Sequence, residues 1–534
     1  MKNTNLRTIK GMAAASVALL LLTGGALAHD QELDGGVAEA RTLRNLQPFL
    51  NASGAVATYN VNGRFDTRNA FFQSLGTNGR SCATCHVASQ GFSITPEGAR
   101  QRFERTSGRD PLFAGVDGAN CANGKREDRS AHSLLLKHGL IRVALTLPDN
   151  AQFQISVVND PYGCALVPDP KTGKIVASVY RRPLPSTNVS FLSTVMWDGR
   201  ETSAPLNDGT TFLANLEANL AHQVIDATLG HAEASREPTQ KQIDEIVKFE
   251  TGLYTAQAYD FAAGSLDRRG ARGGPRILSE EVYYPGINDS LGGEPNGLPF
   301  TSSSMSAFSA WARPSMASLA DNDGAPADIR SLSDYRSFAM RILARYARSQ
   351  TAARRDIAAG EELFNNAPLT ITTVRGLNDS AALAKPPAIK GTCTTCHDSP
   401  NVGHHSMPLP LDIGVGHTDL SGLESDPNVA AGVAELSLPN LPVFQISGCA
   451  SPFNPGEPVS FYTTDPGKAL ISGQCSDVNR LKGPVLRGLA ARAPYFHNGA
   501  AATLMQAVNF YNQRFQMNLT EEQKTQLVAF LNAL

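Results

Sequence analysis

Apolar residues recur at helical spacing in three parts of the chain. From Tyr335 to Phe364 they stand among Arg and Ala, which predicts a long helix. Near the C-terminus Thr520-Glu521-Glu522-Gln523 has the form of a capping box before a one-sided apolar face, which predicts a final helix. A third run predicts a helix that stops at Gly76-Thr77-Asn78-Gly79. The apolar positions are Phe65, Phe71, Phe72 and Leu75, then Leu343, Tyr346, Ile357 and Leu363, and finally Leu527, Val528, Leu531 and Leu534.

Periodicity is lost in the middle of the chain. From Gly270 to Ser306 the sequence is rich in Gly, Pro and Ser, which is typical of an insertion or a long connection. We place this insertion at residues 259–334. It separates an N-terminal region, residues 29–258, from a C-terminal region, residues 335–534.

The N-terminus has the pattern of a secretory signal. Basic residues precede an apolar run from Met12 to Leu22, and Ala26-Leu27-Ala28 provides the small residues of a cleavage site. We therefore predict a signal peptide over residues 1–28 and export to the periplasm. An uncleaved anchor is the alternative, but the run is short for a membrane span. No later segment is long and apolar enough to predict one.

Overall charge changes this picture little. The formal net charge is −2, and 18% of the residues are charged. Such a balance is typical of an ordinary globular chain and does not indicate nucleic acid as a partner.

Two pentapeptides of the form Cys-x-x-Cys-His carry the clearest chemistry. They are Cys82-Ala83-Thr84-Cys85-His86 and Cys393-Thr394-Thr395-Cys396-His397. This spacing is the attachment signature of c-type haem, in which both thiols bind the macrocycle and the histidine binds the iron. A redox or zinc-binding Cys-x-x-Cys is the alternative. We predict two covalently bound haems c, held by Cys82, Cys85 and His86 and by Cys393, Cys396 and His397.

Haem turns placed between helices predict the fold class. A helix, a haem turn and a closing helix make up a cytochrome c domain. The chain is therefore expected to be mainly α, with two cytochrome c-like domains and a loop-rich insertion between them.

Four cysteines remain outside the haem motifs, two in each half of the chain. An even number in an exported protein predicts disulfides, and we pair Cys121 with Cys164 and Cys449 with Cys475. Free buried thiols are the alternative.

The sixth position of each iron separates an electron carrier from an enzyme. A second strong ligand fills it in a carrier, whereas a peroxidase or oxygenase keeps it open. From Val87 to Ala131 the sequence contains no His and no Met. This predicts an open first haem, unless His132, His138 or a more distant residue folds over it.

Two further groups of residues carry a family resemblance. The first is Trp197-Asp198-Gly199-Arg200, followed by Leu220, Gln223 and Glu233. The second is Ala493-Pro494-Tyr495-Phe496-His497-Asn498-Gly499 and the run beyond it through Val508. Together with the haem motifs, these resemble the bacterial dihaem cytochrome c peroxidase and MauG superfamily over residues 60–260 and 340–534.

The resemblance implies roles for residues near the first haem. Glu233 falls at the family's catalytic glutamate and Gln223 at its distal glutamine. Trp197 falls at the family's electron relay between the haems. His231, close to Glu233, could share or take over the acid/base role, because the unperturbed pKa of histidine suits proton transfer. Ala227 stands where the family usually has proline.

At the second haem the chain departs from the peroxidases. Their methionine ligand is replaced by Tyr511, as in MauG-type enzymes, and phenolate favours oxidised iron. We predict His397 and Tyr511 as the ligands of this iron, and His86 as the protein ligand of the first. Met517 is the rival to Tyr511; His404, His405 and Met407 are further alternatives.

The sequence thus predicts a periplasmic dihaem peroxidase. Hydrogen peroxide would react at the first haem, and the oxidising equivalents would be shared with the second. The electron donor would be a small c-type cytochrome, another redox protein or a small-molecule reductant. A dihaem electron-transfer cytochrome without catalysis and a dioxygen-using oxygenase are the alternatives. Whether the protein holds calcium (Ca²⁺) between its haem domains, as the family often does, is left open by the sequence.

Overall fold

The computed structural model describes residues 35–206, 211–283, 305–312, 332–397, 410–419, 426–454 and 456–534. The predicted signal peptide, much of the predicted insertion, and His404, His405 and Met407 lie outside these residues. All of the description below concerns one compact unit, Asp34–Leu534.

Eleven α-helices lie in the described parts of the chain. They are α1 (Gly35–Ala40), α2 (Pro96–Thr106), α3 (Ser133–His138), α4 (Phe212–Gly230), α5 (Gln240–Thr251), α6 (Pro275–Leu278), α7 (Leu332–Asn366), α8 (Pro427–Val433), α9 (Ala469–Ser472), α10 (Leu504–Arg514) and α11 (Glu521–Ala533).

Thirteen strands lie in the same parts of the chain. They are β1 (Phe49–Leu50), β2 (Gly54–Asn60), β3 (Ile141–Thr146), β4 (Gln154–Asn159), β5 (Leu166–Pro168), β6 (Ile175–Arg181), β7 (Leu253–Asp260), β8 (Gly264–Ser265), β9 (Leu369–Ile371), β10 (Ile389–Gly391), β11 (His417–Asp419), β12 (Val443–Ala450) and β13 (Pro458–Thr463).

These strands overturn the prediction of a mainly α protein. They form four antiparallel sheets, with the orders β1-β2-β7-β8, β3-β6-β5, β11-β13-β12-β4 and β10-β9. Most of the strands lie in the polar, Gly- and Pro-containing stretches that follow each haem turn. Because strands of two to eight residues leave a weak alternating pattern, the sequence does not predict them between the helices.

One sheet joins the two halves of the chain. Strand β4, from the first half, pairs antiparallel with β12, from the second, with Val157 opposite Phe444 and Ile155 opposite Ile446. The final residue adds another link, because its carbonyl accepts hydrogen bonds from the Gln257 N–H and the Gly488 N–H. Both connections bring distant parts of the sequence into one body.

Two of the three predicted helices form. The predicted capping box at Thr520 is confirmed, since its side chain accepts from the Gln523 N–H at the start of α11. The long helix is confirmed as α7, and α11 packs along it around Phe364, Phe530 and Leu531. The helix expected near Phe71 is wrong: only the single 3₁₀ turn Ala70–Phe72 forms there.

Both predicted disulfides are confirmed. Cys121 is bonded to Cys164, and Cys449 on β12 is bonded to Cys475. The four cysteines of the Cys-x-x-Cys-His motifs take part in neither disulfide. Among the described residues, no helix combines the length and the apolarity that crossing a bilayer requires.

Candidate haem sites and the wall between them

Both Cys-x-x-Cys-His motifs form the same local structure. Each begins as a single 3₁₀ turn whose first cysteine carbonyl accepts the N–H of the motif histidine, at 3.1 Å in both cases. A threonine hydroxyl closes each turn: Thr84 accepts from the Ser81 N–H at 2.9 Å, and Thr395 accepts from the Thr392 N–H at 3.0 Å. Two thiols and a histidine are thereby presented from one short piece of chain.

Each turn opens onto a cavity. The first cavity is lined by Cys82, Cys85 and His86, and the second by Cys393, Cys396 and His397. Burial raises the pKa of the Cys82 thiol above its usual range and that of Cys393 to about 12. Thiols held this way are neutral at physiological pH, which suits a structural attachment better than a redox dithiol.

The first motif histidine is oriented for a metal. His86 Nδ1 lies 3.0 Å from the Phe92 carbonyl oxygen. Because a carbonyl only accepts, Nδ1 carries the proton and Nε2 remains as a ligand. Burial, more than any nearby charge, lowers the pKa of His86, which keeps the ring neutral. These features fit a haem iron at the first site.

Three of the four residues predicted to assist at the first haem line its cavity: Gln223, His231 and Trp197. Gln223 extends from α4, and His231 directly follows that helix. Nδ1 of His231 is hydrogen-bonded to the carboxylate of Asp117, a buried residue that the sequence analysis did not identify.

Glu233 lies beyond the residues that line this cavity. Its side chain is exposed, and Oε2 accepts from Asn78 Nδ2 at 3.0 Å. Its backbone has a φ of 53°, a left-handed conformation that is uncommon for a residue with a side chain. The same Asn78 amide donates to the His231 carbonyl at 2.8 Å, so Glu233 and His231 are neighbours with different exposure.

The sequence offered two nearby histidines, His132 and His138, as candidate ligands that would close the first haem. His132 is buried with Nδ1 on the Gly118 carbonyl at 2.8 Å and Nε2 near the Arg126 carbonyl at 3.0 Å. Neither histidine lines the first cavity. Met196 does line it, in a left-handed backbone conformation with a φ of 64°, although the sequence analysis did not single it out.

Tyr511 lies across the second cavity from His397. The centres of the two rings are 6.5 Å apart and their planes are inclined by 74°. Phe515 stacks on Tyr511 at 5.7 Å, which holds the phenol in place. Burial raises the pKa of Tyr511, so a phenolate here needs a cation such as iron beside it. Met517, the rival ligand, also lines this cavity.

A wall of shared residues separates the cavities. Trp197, Arg182 and Lys482 are buried and line both of them. The Trp197 Nε1–H donates to the Arg182 carbonyl at 2.7 Å, and the Lys482 N–H donates to the Trp197 carbonyl at 2.8 Å. On the second side the indole lies edge-on to the ring of His497, at 6.2 Å between centres. We call Trp197, Arg182 and Lys482 the shared wall.

The two cations of the shared wall hydrogen-bond to carbonyls. Lys482 Nζ donates to Thr194 at 2.8 Å, and Arg182 Nη1 donates to Gly139 at 2.9 Å. In the described part of the chain, the hydrogen-bond partners of both cationic groups are backbone carbonyls, with no carboxylate among them. Burial lowers the pKa of Lys482 to about 7; burial and then the charge of Arg492 lower that of Arg182 to about 9. Such cations favour an anionic ligand, and the carboxylates of a haem are suitable anions.

The aspartate after Trp197 anchors the wall. Asp198 is buried and forms ion pairs with Arg181 and with Arg200, the latter at 2.9 Å. Arg181 also binds Asp465 from the second half of the chain at 2.6 Å. The Trp-Asp-Gly-Arg motif therefore fixes the wall to both halves.

Two bacterial proteins are similar to parts of this chain. A cytochrome-c peroxidase of Denitromonas iodatirespirans is 34% identical over 152 residues, which cover 27% of this chain and 36% of that protein. A cytochrome c551 peroxidase of Nitrosomonas europaea is 34% identical over 93 residues, 17% of this chain and 26% of that protein. No protein-family model matches the chain. The chain thus spans about a third or less of the curated relatives it matches, and over those stretches it is similar to bacterial cytochrome c peroxidases.

Proposed function

We propose that the protein is a periplasmic dihaem c-type peroxidase. The observation that carries the proposal is the pair of haem turns opening onto two cavities that share Trp197. Gln223 and His231 line the first cavity, whereas the phenol of Tyr511 lies close to His397 in the second. This asymmetry suits one reactive site and one electron-storing site, and the similarity to two proteins named as peroxidases supports it.

The haems would be held by Cys82, Cys85 and His86 and by Cys393, Cys396 and His397, with Tyr511 as the second ligand of the latter iron. When bound, they supply the redox chemistry, in which hydrogen peroxide takes up two electrons and two protons and leaves as two waters. The donor would be a small c-type cytochrome, another redox protein or a small-molecule reductant.

The chain's own groups manage protons and access. Gln223 has an amide that can hydrogen-bond peroxide inside the first cavity. His231 can take a proton from one peroxide oxygen and return it to the other, which assists cleavage of the O–O bond. Glu233, exposed beside His231, can exchange protons with bulk water. Trp197, which lines both cavities, offers an aromatic side chain through which electrons can pass between them.

A second function has one specific observation in its favour. Met196 lines the first cavity, and a thioether bound there would close the iron and produce a dihaem electron carrier without catalysis. The two functions differ in the spin state of the oxidised first haem, because a closed iron is low-spin.

The test is to record optical and paramagnetic-resonance spectra of the oxidised holoprotein before and after stoichiometric hydrogen peroxide. A high-spin first haem that reacts within seconds is expected. Two low-spin haems that do not react would refute the peroxidase and favour the carrier. In that case Met196→Leu should convert the first haem to high spin.

A further inference from the structure

A buried ion pair lies behind His231. Asp117 and Arg80 are only 4% and 3% exposed, and the Asp117 carboxylate receives both Arg80 Nη1 and His231 Nδ1. Both Asp117 and Arg80 also line the first cavity. A continuous row of hydrogen bonds therefore runs from His231 through Asp117 to Arg80.

Further hydrogen bonds hold Arg80 and Asp117 in place. Arg80 donates from Nε to the Pro111 carbonyl at 2.9 Å and from Nη2 to the Leu112 carbonyl at 2.8 Å. The Asp117 carbonyl accepts the Arg142 N–H at 2.8 Å. Burial alone would raise the pKa of Asp117, but the charge of Arg80 and the hydrogen bonds from His231 and Arg80 outweigh it and lower the pKa to about 2. The carboxylate is thus ionised at any physiological pH.

An ionised carboxylate accepts hydrogen bonds and cannot donate them. Nδ1 of His231 must then carry the ring's proton when the imidazole is neutral, which leaves Nε2 as the basic atom. A carboxylate in this position also stabilises the imidazolium that forms when Nε2 takes up a proton. Glu233, at the family's catalytic position, is exposed outside the cavity lining and has no comparable support.

We propose that Asp117 is the positioning residue of the peroxide site, holding His231 in the tautomer that accepts the peroxide proton at Nε2, with Arg80 fixing Asp117. This inference rests on the proposed peroxidase function and identifies which group serves it as acid and base. The proton leaves one oxygen of hydrogen peroxide for Nε2 and returns from Nε2 to the other oxygen, which departs as water. The oxygen left behind takes up two protons from water and two electrons from the external donor and leaves as a second water.

The experiment compares wild-type holoprotein with Asp117→Asn and His231→Gln by stopped-flow mixing with hydrogen peroxide. Each single variant should slow the reaction roughly 10²- to 10⁴-fold, the usual contribution of a general acid–base group. The double variant should be no slower than His231→Gln, because the two residues act as one unit. At alkaline pH, where more peroxide is already deprotonated, the loss in Asp117→Asn should shrink.

Two controls separate positioning from folding. Arg80→Gln/Asp117→Asn leaves no orphaned buried charge, and it should fold yet remain slow. Asp379→Asn breaks a partly buried ion pair with Arg480 in the second half of the chain and should react like wild type. Asp117→Glu, which keeps the charge, should recover part of the rate.

The outcomes distinguish this inference from the function on which it rests. A wild-type protein that does not react with peroxide refutes the peroxidase itself. If wild type reacts and Asp117→Asn or Arg80→Gln/Asp117→Asn matches it, or if the losses of Asp117→Asn and His231→Gln multiply when the two are combined, Asp117 does not act through His231 and the inference is wrong.

Discussion

At the scale of single residues, the distinctive feature of the second cavity is the phenol of Tyr511. Tyr511 stands among Phe496, Phe510 and Phe515, whose rings pack around the phenol. This aromatic cluster fixes the ring but offers its oxygen no charge. A phenol in such surroundings is suited to act as a ligand to a metal in the adjacent cavity.

Replacing Tyr511 by phenylalanine should remove that ligand while keeping the packing. We expect the optical spectrum of the second haem alone to change. Its reduction potential should rise by on the order of 100 mV, within the ~0.8 V range that axial ligands span. Redox titration followed optically measures both effects. Met517→Leu is the matched control, and an altered second haem in that variant with an unaltered one in Tyr511→Phe would assign the ligand to Met517.

At the scale of elements, α7 binds a short piece of the predicted insertion. Phe308 and Trp311 are buried in the core that α7 and α11 form. The Phe308 N–H donates to Glu361 Oε1 at 3.0 Å, and Arg354 lies over the Trp311 ring at 5.5 Å. Residues 305–312 therefore pack as part of the second half of the chain, and the carboxyl group of Glu361 is buried at this contact.

Glu361 makes this contact sensitive to pH. Burial outweighs the hydrogen bonds from Phe308 and Ala307 and raises its pKa to about 7. The folded state therefore binds the proton more tightly than the unfolded state does. The stability this contributes is complete below about pH 4.5 and is lost as the pH rises to about 7.

Glu361→Gln should abolish that loss. Relative to wild type, the variant's free energy of unfolding should be higher at pH 8 than at pH 4.5 by on the order of 2 kcal/mol. Urea unfolding at the two pH values measures it. Glu362→Gln, the exposed neighbour on the same helix, should show no such difference; an equal effect in both variants would contradict the assignment.

At the scale of the whole molecule, the β4–β12 pairing makes the two halves fold together. Ile155 faces apolar residues of both halves, including Phe153 and Ile446, whereas Val158 is 56% exposed. The two halves of the chain are therefore connected by a strand ladder as well as by the covalent backbone.

Ile155→Asp should place a charge in that shared apolar region and destabilise the protein by about 2–4 kcal/mol. In wild type, both haem spectra should change at one urea concentration, and in the variant they should separate. Val158→Asp is the control and should stay within about 0.5 kcal/mol of wild type. A single unchanged transition in Ile155→Asp would show that the ladder does not couple the halves.

Sequence reasoning succeeded where chemistry is local. The disulfide pairs, the capping box at Thr520 and the long helix α7 each depend on residues close in sequence or on a small number of cysteines. The strands could not be predicted because their pairing partners are distant, as β4 and β12 are. Asp117 was missed for the same reason: it lies 114 positions from His231, and no local pattern connects them.

The shared wall has a consequence for how the molecule takes up electrons. Trp197, Arg182 and Lys482 belong to both cavities, so a charge added on one side acts on the other through the same low-dielectric layer. Thermodynamic linkage makes such an influence mutual: reduction on either side changes the electron affinity of the other by the same factor. In a dihaem enzyme built on this wall, the two centres behave as a cooperative pair, and neither has a midpoint potential that is a property of that centre alone.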